Sequence, residues 1–381
     1  MQFKIKSSTL HRAVQSLIRI TNPKPRPILE CVLVESEAGG LRITASDGNI
    51  FATVHLRCDG ATGTDPMAIR AKTLAELLAT LPADETLEVT KPEGRDSVQI
   101  AWGSGRATIP EMGTKDWPKT PSLTEGGTPS RVELSQAELL HLIGATGFAA
   151  EVNEIHPFTA VIHFEFDDSG KATAVATDTR RLVTSSENAA RTEGESSFNM
   201  DARLASIVKS FITESSENVR ISFTGRTMHI MTGNTEIWSG ANATTKFPEW
   251  KKIIPSRNGN RLSVSKESFL GAIRRVTASL KNVTTKIAVL TLGDGFGMKI
   301  ESKDAGLKIC SSETVEDAVY EGLPLTIGFN ADSLAELIEN VPTEKTVMLM
   351  GSEKTAALIL PEGADAGTDG TRGIIMPLAI K

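Results

Sequence analysis

Leu74-Ala75, Leu204-Ala205 and Leu334-Ala335 stand 130 residues apart each time, and each pair opens a short amphipathic run. Upstream of them, Ala68-Ile69-Arg70, Ser197-Phe198-Asn199 and Thr326-Ile327-Gly328 each read as the end of a strand. The closing segments also correspond, at Trp117-Pro118, Phe247-Pro248 and Met376-Pro377. The 381-residue chain therefore reads as one module of roughly 127 residues written three times. Repeated modules of this kind build extended or closed scaffolds.

Each copy opens alike. Phe3-Lys4-Ile5-Lys6, Val132-Glu133-Leu134 and Leu262-Ser263-Val264 alternate as strands do. Caps follow at Ser7-Ser8-Thr9, Ser135 and Ser265. Helical spacing then recurs at Leu10, Val14, Leu17 and Ile18, at Leu139, Leu142, Ile143 and Phe148, and at Phe269, Ile273, Val276 and Leu280. Within a module the strand, helix and strand-meander pattern runs twice. In the first copy the meanders are 28–35, 41–45 and 51–56, then 87–90, 98–101 and 106–109, with turns at Ala38-Gly39-Gly40, Asp47-Gly48-Asn49 and Glu93-Gly94-Arg95. The second and third copies offer 161–166, 172–176 and 182–185, and 289–292, 297–301 and 307–310. Six half-modules of one helix and several antiparallel strands predict an α+β fold of three similar domains, 1–126, 127–255 and 256–381. Polar, Gly/Pro-bearing linkers at 124–129 and 255–260 agree, and 362–370 reads as a flexible loop.

Composition narrows the function classes. The chain has no apolar run long enough to span a bilayer, and its amino terminus lacks a signal-peptide core. Cys31, Cys58 and Cys310 are scattered and form no CxxC pair, which disfavours a zinc site or disulfide framework and points to a reducing cytoplasm. A net charge of −6 argues against a simple basic nucleic-acid binder, although a local basic surface can sit inside an acidic envelope. Aromatic content of 5%, with Tyr320 the single tyrosine, disfavours a base-stacking platform.

Four segments in the right order and period then carry a resemblance. The triple repeat, Ala176-Thr177-Asp178-Thr179-Arg180-Arg181-Leu182, Phe247-Pro248-Glu249-Trp250-Lys251-Lys252-Ile253-Ile254-Pro255 and Ile375-Met376-Pro377-Leu378 together resemble the bacterial DNA polymerase III β subunit, the sliding-clamp family. Pro27-Ile28-Leu29 fits the same family, and the resemblance covers essentially the whole chain. Family members usually carry Gly then His where this chain has Thr179 and Arg180, and His156-Pro157-Phe158-Thr159-Ala160-Val161 replaces an Arg-x-Tyr-Leu-like stretch.

The resemblance implies a DNA-clamp fold whose helices line a hole for double-stranded DNA. Cations on the helices are the candidate phosphate contacts: Arg12 and Arg19, seven apart, on the first; Arg203 and Lys209 on the fourth; Arg274 and Lys281 on the fifth; and Lys24 and Arg26 in a Pro-rich loop. Phosphate contacts would be independent of sequence and sensitive to salt. The resemblance further implies a groove for short linear peptides of polymerase and clamp-loader subunits. Thr159, Thr177, Thr179, Arg180, Arg181, Leu182, Pro248, Lys252, Ile253, Ile374, Met376, Pro377 and Leu378 are its candidate residues. It also implies a head-to-tail homodimeric ring, with Ile109 and Leu280 as candidate contacts.

An enzyme reading has less to rest on. Asp178, Arg180 and Arg181 could mimic a catalytic cluster, but the six histidines show no metal spacing. No phosphate loop, GxGxxG or GxSxG elbow occurs, so no cofactor or metal is expected. A repeat-built enzyme and a divergent accessory clamp scaffold are the alternatives to a standard clamp.

Overall fold

The opening strand of every third lies antiparallel to the first strand after the second helix. Gln2–Lys6 pairs with Thr86–Thr90, Ser130–Ser135 with Asn218–Phe223, and Asn260–Ser265 with Lys345–Met350. Period-two alternation puts Phe3 and Ile5, Val132 and Leu134, and Leu262 and Val264 inside. The structure, a computed structural model, describes every residue except Pro23, Pro25, Gly126, Glu154, Ala189, Ala190, 241–244, Arg257, 281–282, 294–296, 305–308, 368–369 and Lys381. The expected strand start at Leu307 and the candidate Lys281 lie outside the described residues.

Six α-helices occur among the described residues: α1 (Ser7–Leu17), α2 (Ala71–Ala79), α3 (Gln136–Thr146), α4 (Ala202–Lys209), α5 (Lys266–Thr277) and α6 (Ala331–Glu339). The Leu-Ala pairs sit in α2, α4 and α6, where Leu74, Leu204 and Leu334 are buried. Fully burying one such leucine contributes about 1.5–3 kcal/mol. α1 packs on α2 and α5 on α6.

The helix starts differ between copies. Ser135 and Glu138 form a reciprocal capping box, Ser135 N–H to Oε2 at 2.7 Å and Glu138 N–H to Ser135 Oγ at 3.2 Å. Ser265 Oγ accepts from the Ser268 N–H at 3.4 Å. Ser7-Ser8-Thr9 supply no side-chain cap, because α1 already begins at Ser7 behind Lys6. The Ser7 and Ser8 N–H groups donate instead to Glu85 and Ala83 carbonyls at 2.8 and 3.1 Å. The same backbone device recurs from Gln136 to Glu217 and from Lys266 to Glu344. The loop after the second helix thus satisfies donors that a cap would otherwise serve.

The chain forms two compact units, Met1–Leu140 with Ala190–Thr244, and His141–Ala189 with Thr245–Lys381, so the second third is divided. Within the first unit, Ile50–Arg57 pairs with Thr235–Gly240, joining strands of the first and second thirds in one sheet. Within the second, Arg181–Glu187 pairs with Arg372–Ile375, joining strands of the second and third thirds. A separate four-stranded sheet there contains Ile309–Val315, Gly297–Asp304, Ile287–Gly293 and Leu325–Asn330.

Two local expectations change. Pro27–Glu30 is a short 3₁₀ turn rather than the start of a strand, and the strand begins at Cys31. Pro27 has no N–H to give a ladder and its fixed φ suits the first position of a turn. In the segment 362–370, Ala364 is buried in the core cluster of the second unit, so this part packs rather than waving free.

Candidate functional site

Within the second unit, a turn between the strands Ala172–Thr177 and Arg181–Glu187 forms one wall of an apolar groove. Thr179 has φ +76°, unusual for a β-branched residue. Short hydrogen bonds hold it there. Thr177 Oγ1 donates to the Arg181 carbonyl at 2.6 Å and accepts from the Thr179 N–H at 3.1 Å. Asp178 Oδ1 accepts from the Arg180 and Arg181 N–H groups, each at 2.9 Å. Asp178 Oδ2 takes the Arg181 Nε at 3.0 Å, and both side chains are about nine-tenths buried. The carboxylate that could have mimicked a catalytic group is therefore occupied in building the turn.

Arg181 is anchored further by Glu336 at 2.6 Å, by the Phe148 carbonyl at 3.3 Å, and by its guanidinium lying 5.5 Å from the Phe148 ring centre. The next residue, Leu182, stands opposite Ile374 across the strand pair. Both belong to a buried cluster with Val161, Val175, Trp250 and Leu358, and both also floor the groove. Core packing and groove lining coincide here, since the same buried side chains belong to the cluster and line the groove.

The opposite wall is the segment Phe247–Ile254, fixed by two aromatic contacts. Phe247 stacks on His163 with ring centres 4.7 Å apart and planes within 4°. The Trp250 indole N–H donates to Glu165 at 2.9 Å, and Lys251 reaches the same carboxylate at 2.6 Å. Burial works to raise the Glu165 pKa, but the bonds from Lys251 and Trp250 outweigh it and hold the carboxyl below its ordinary value. This anchoring places Pro248 and Ile253 at the groove. The Met376 N–H donates to the Arg180 carbonyl at 2.9 Å, bringing the terminal strand alongside.

The groove has a volume of about 210 Å³ and is lined by Phe158, Thr177, Thr179, Arg180, Arg181, Leu182, Pro248, Ile253, Ile374 and Met376. That is below the roughly 300–1,000 Å³ of drug-sized sites and suits a few side chains of a peptide. Ile253 and Met376 are 46% and 45% exposed, so apolar surface is available at the rim.

Four candidates fall outside this lining. Thr159 is buried, with its hydroxyl 2.7 and 2.8 Å from the Glu151 and His156 carbonyls, and it steadies the turn that carries Phe158. Lys252 turns away to Glu249. Pro377 and Leu378 pass beyond the groove, and the Leu378 N–H donates to the Gly328 carbonyl at 2.8 Å. A Cβ at Gly328 would stand only 3.3 Å from the Leu378 carbonyl oxygen, so glycine keeps this contact relaxed. Phe158 is the lining residue that sequence reasoning did not select; its place next to a short apolar turn was the available signal.

The cation candidates divide. Arg12, Arg19, Lys24, Arg26 and Lys209 are exposed. Arg19 lies beyond the end of α1 at Leu17, so the seven-residue spacing from Arg12 does not set a shared helical face. Arg203 pairs with Asp47 at 2.8 Å and Arg274 with Glu339 at 3.6 Å. Ile109 and Leu280 are 4% and 1% exposed, facing inward in this chain. On the strand Gly105–Met112 it is Arg106, Thr108 and Pro110 that face outward.

Comparisons with known proteins agree with this architecture. Residues 1–121 match the family described as DNA polymerase III beta subunit, N-terminal domain. The chain is similar to the β sliding clamp of Pseudomonas aeruginosa, 23% identical with 100% of each chain covered. It also resembles the crystal structure of DNA polymerase III subunit beta from Pseudomonas aeruginosa, at a TM-score of 0.89 and 21% identity over 100% of both chains. The Thermotoga maritima β subunit gives 0.85 at 20% identity, again over 100% of both. Residues 1–121 thus match the N-terminal domain of the DNA polymerase III β subunit family, and over its full length the chain has the DNA-clamp fold and is similar to the sliding clamps.

Proposed function

We propose that two copies of this chain close head to tail into a ring that encircles double-stranded DNA and tethers a replicative polymerase, without chemistry of its own. The observation that carries this is a pair of matching open strand edges. In the first unit the strand Ile50–Arg57 pairs with the strand Thr235–Gly240, and in the second Arg181–Glu187 pairs with Arg372–Ile375. By position in the repeat, the next members of these two series are Ile309–Val315 and Gly105–Met112. Among the described residues, Ile309–Val315 pairs only with Gly297–Asp304. Gly105–Met112 pairs with Ser97–Trp102, and only its last two residues reach Met67–Arg70. An unpaired edge seeks a partner strand. Pairing these two edges between copies, twice, satisfies both and closes the assembly.

The three thirds, 1–126, 127–255 and 256–381, are then the domains of each half-ring. Exposed Arg12, Arg19, Lys24, Arg26 and Lys209 are the favoured phosphate contacts, while Arg203 and Arg274 act mainly in ion pairs within the chain. Sparse, screened cations suit sliding, because no contact fixes a register. Polymerase and loader subunits dock through short peptides in the groove beside Met376. The protein works in the cytoplasm.

A topological experiment tests the reading. The protein is loaded on nicked circular DNA, which is then linearised. Retention on circles and loss from linear DNA is expected, and equal retention on both overturns encirclement. Mass in solution should be near twice 40.8 kDa.

A further inference from the structure

We infer that a second pocket of the second unit, on the same sheet face as the apolar groove, binds a phosphate group through Arg372 and the hydroxyl pair Thr173–Ser186.

Position is the first argument. The pocket has a volume of about 310 Å³, and its lining includes Glu165, Thr173, Ser186, Trp250, Lys251 and Arg372. Thr173 and Thr177, Ser186 and Leu182, and Arg372 and Ile374 are each an even number of residues apart on three neighbouring strands. The pleat therefore sends all six to one face. The segment Phe247–Ile254 serves both places: Pro248 and Ile253 line the groove, Trp250 and Ile254 the second pocket.

Unused donors are the second argument. Four buried side-chain nitrogen or oxygen atoms lack a hydrogen-bond partner among the described residues. Two of them, His55 Nε2 and His229 Nε2, face the Glu236 carboxylate. The other two are Arg372 Nε and Thr184 Oγ1, whose residues stand opposite each other across the strand pair. Buried polar atoms are normally paired, so hydrogen-bonding capacity is left over at this spot. The Arg372 Nη1 donates to the Ala366 carbonyl at 3.2 Å, a neutral partner that leaves its charge uncompensated.

The chemistry of the lining then selects the ligand. Its acids are engaged, since Glu165 takes Trp250 and Lys251, and Asp167 Oδ1 accepts three hydrogen bonds within its own turn. Three cations stand against two acids in the lining, a surplus of positive charge. Thr173 Oγ1 and Ser186 Oγ lie 3.0 Å apart; one donates to the other, and one O–H remains to offer. A guanidinium fork beside a hydroxyl suits a tetrahedral oxyanion, which accepts on several oxygens at once. The volume, within the roughly 300–1,000 Å³ of small-molecule sites, admits the free ion or a small molecule carrying the phosphate.

Equilibrium dialysis of the full chain against radiolabelled orthophosphate, at fixed chloride, tests the inference. One saturable site per chain is expected. Arg372→Gln should weaken binding about tenfold or more, the scale of a hydrogen bond to a charged group. Ser186→Ala removes one half-buried hydroxyl and should weaken it about threefold, which keeps the test decisive if the arginine variant does not fold. Thermal unfolding checks the fold of each variant. Displacement of the label by adenosine monophosphate assigns the site to a carried phosphate, and displacement by unlabelled orthophosphate alone assigns it to the free ion. Displacement by adenosine, absence of saturable binding to the parent chain, or unchanged affinity in the folded variants overturns the inference.

Discussion

Asp178 and Arg181 form an ion pair about nine-tenths buried, Nε to Oδ2 at 3.0 Å, beneath the turn that lifts Thr179 and Arg180 to the groove. One carboxylate thereby serves two backbone N–H groups and one guanidinium. Losing Asp178 leaves the buried guanidinium with the half-exposed Glu336 as its remaining carboxylate partner, whereas removing both members of a buried pair is milder. Asp178→Ala should lower stability by about 3 kcal/mol. The double change Asp178→Ala with Arg181→Met should recover part of that loss. Urea unfolding of the two variants decides the matter, and equal losses would argue against a coupled pair.

Thr179 is a β-branched residue at φ +76°. A side chain in the left-handed region costs about 1–2 kcal/mol, while glycine loses about 0.5–1 kcal/mol in chain entropy on folding. Thr179→Gly should therefore stabilise the protein by about 0.5–1 kcal/mol. A Thr179→Ala variant should gain less, since it keeps a Cβ. Thermal unfolding of the three proteins gives the order.

Glu236 lies on the seam between the strands Ile50–Arg57 and Thr235–Gly240. Its carboxylate is 3.2 Å from His55 Nε2, 3.5 Å from His229 Nε2 and 3.3 Å from the Trp238 indole nitrogen. His229 is the main cause, burial opposes it, and Trp238 and His55 add to it, bringing the pKa from 4.5 down to about 2. A depressed carboxyl stabilises the fold above its unfolded pKa, and that share is lost as pH falls from about 4.5 towards 2. After allowance for solvent screening the contribution is about 1 kcal/mol. Glu236→Gln should flatten the corresponding acid limb of a stability–pH curve, and an unaltered limb would count against the assignment.

Cysteine reactivity should follow burial. Burial, helped by Glu30, pushes the Cys31 thiol up to about 12, and Cys310 is exposed. Because the thiolate is the reacting form, iodoacetamide at pH 8 should modify Cys310 first and Cys31 only on unfolding. Mass spectrometry of timed digests reads the order.

Much of this architecture was legible as periodicity. The Leu-Ala pairs, the alternating Phe3, Ile5, Val132, Leu134, Leu262 and Val264, and the closing Pro248 and Pro377 mark one unit copied three times. Local physics is enough there: alternation selects a strand, a stripe selects a helix, and repetition selects a scaffold. Charge roles were not legible in the same way. Arg203 and Arg12 look alike in sequence, yet Asp47, distant along the chain, neutralises Arg203 alone. Arg180 and Arg181 are adjacent, but folding buries one against Asp178 and leaves the other at the rim. Ile109 and Thr108 share a strand, and the pleat sends them to opposite sides. The sequence by itself determined the repeat, the fold class and which segments meet. Only the tertiary structure decided which cations stay free and which residues face outward, because pairing and burial are set by neighbours that linear spacing does not reveal.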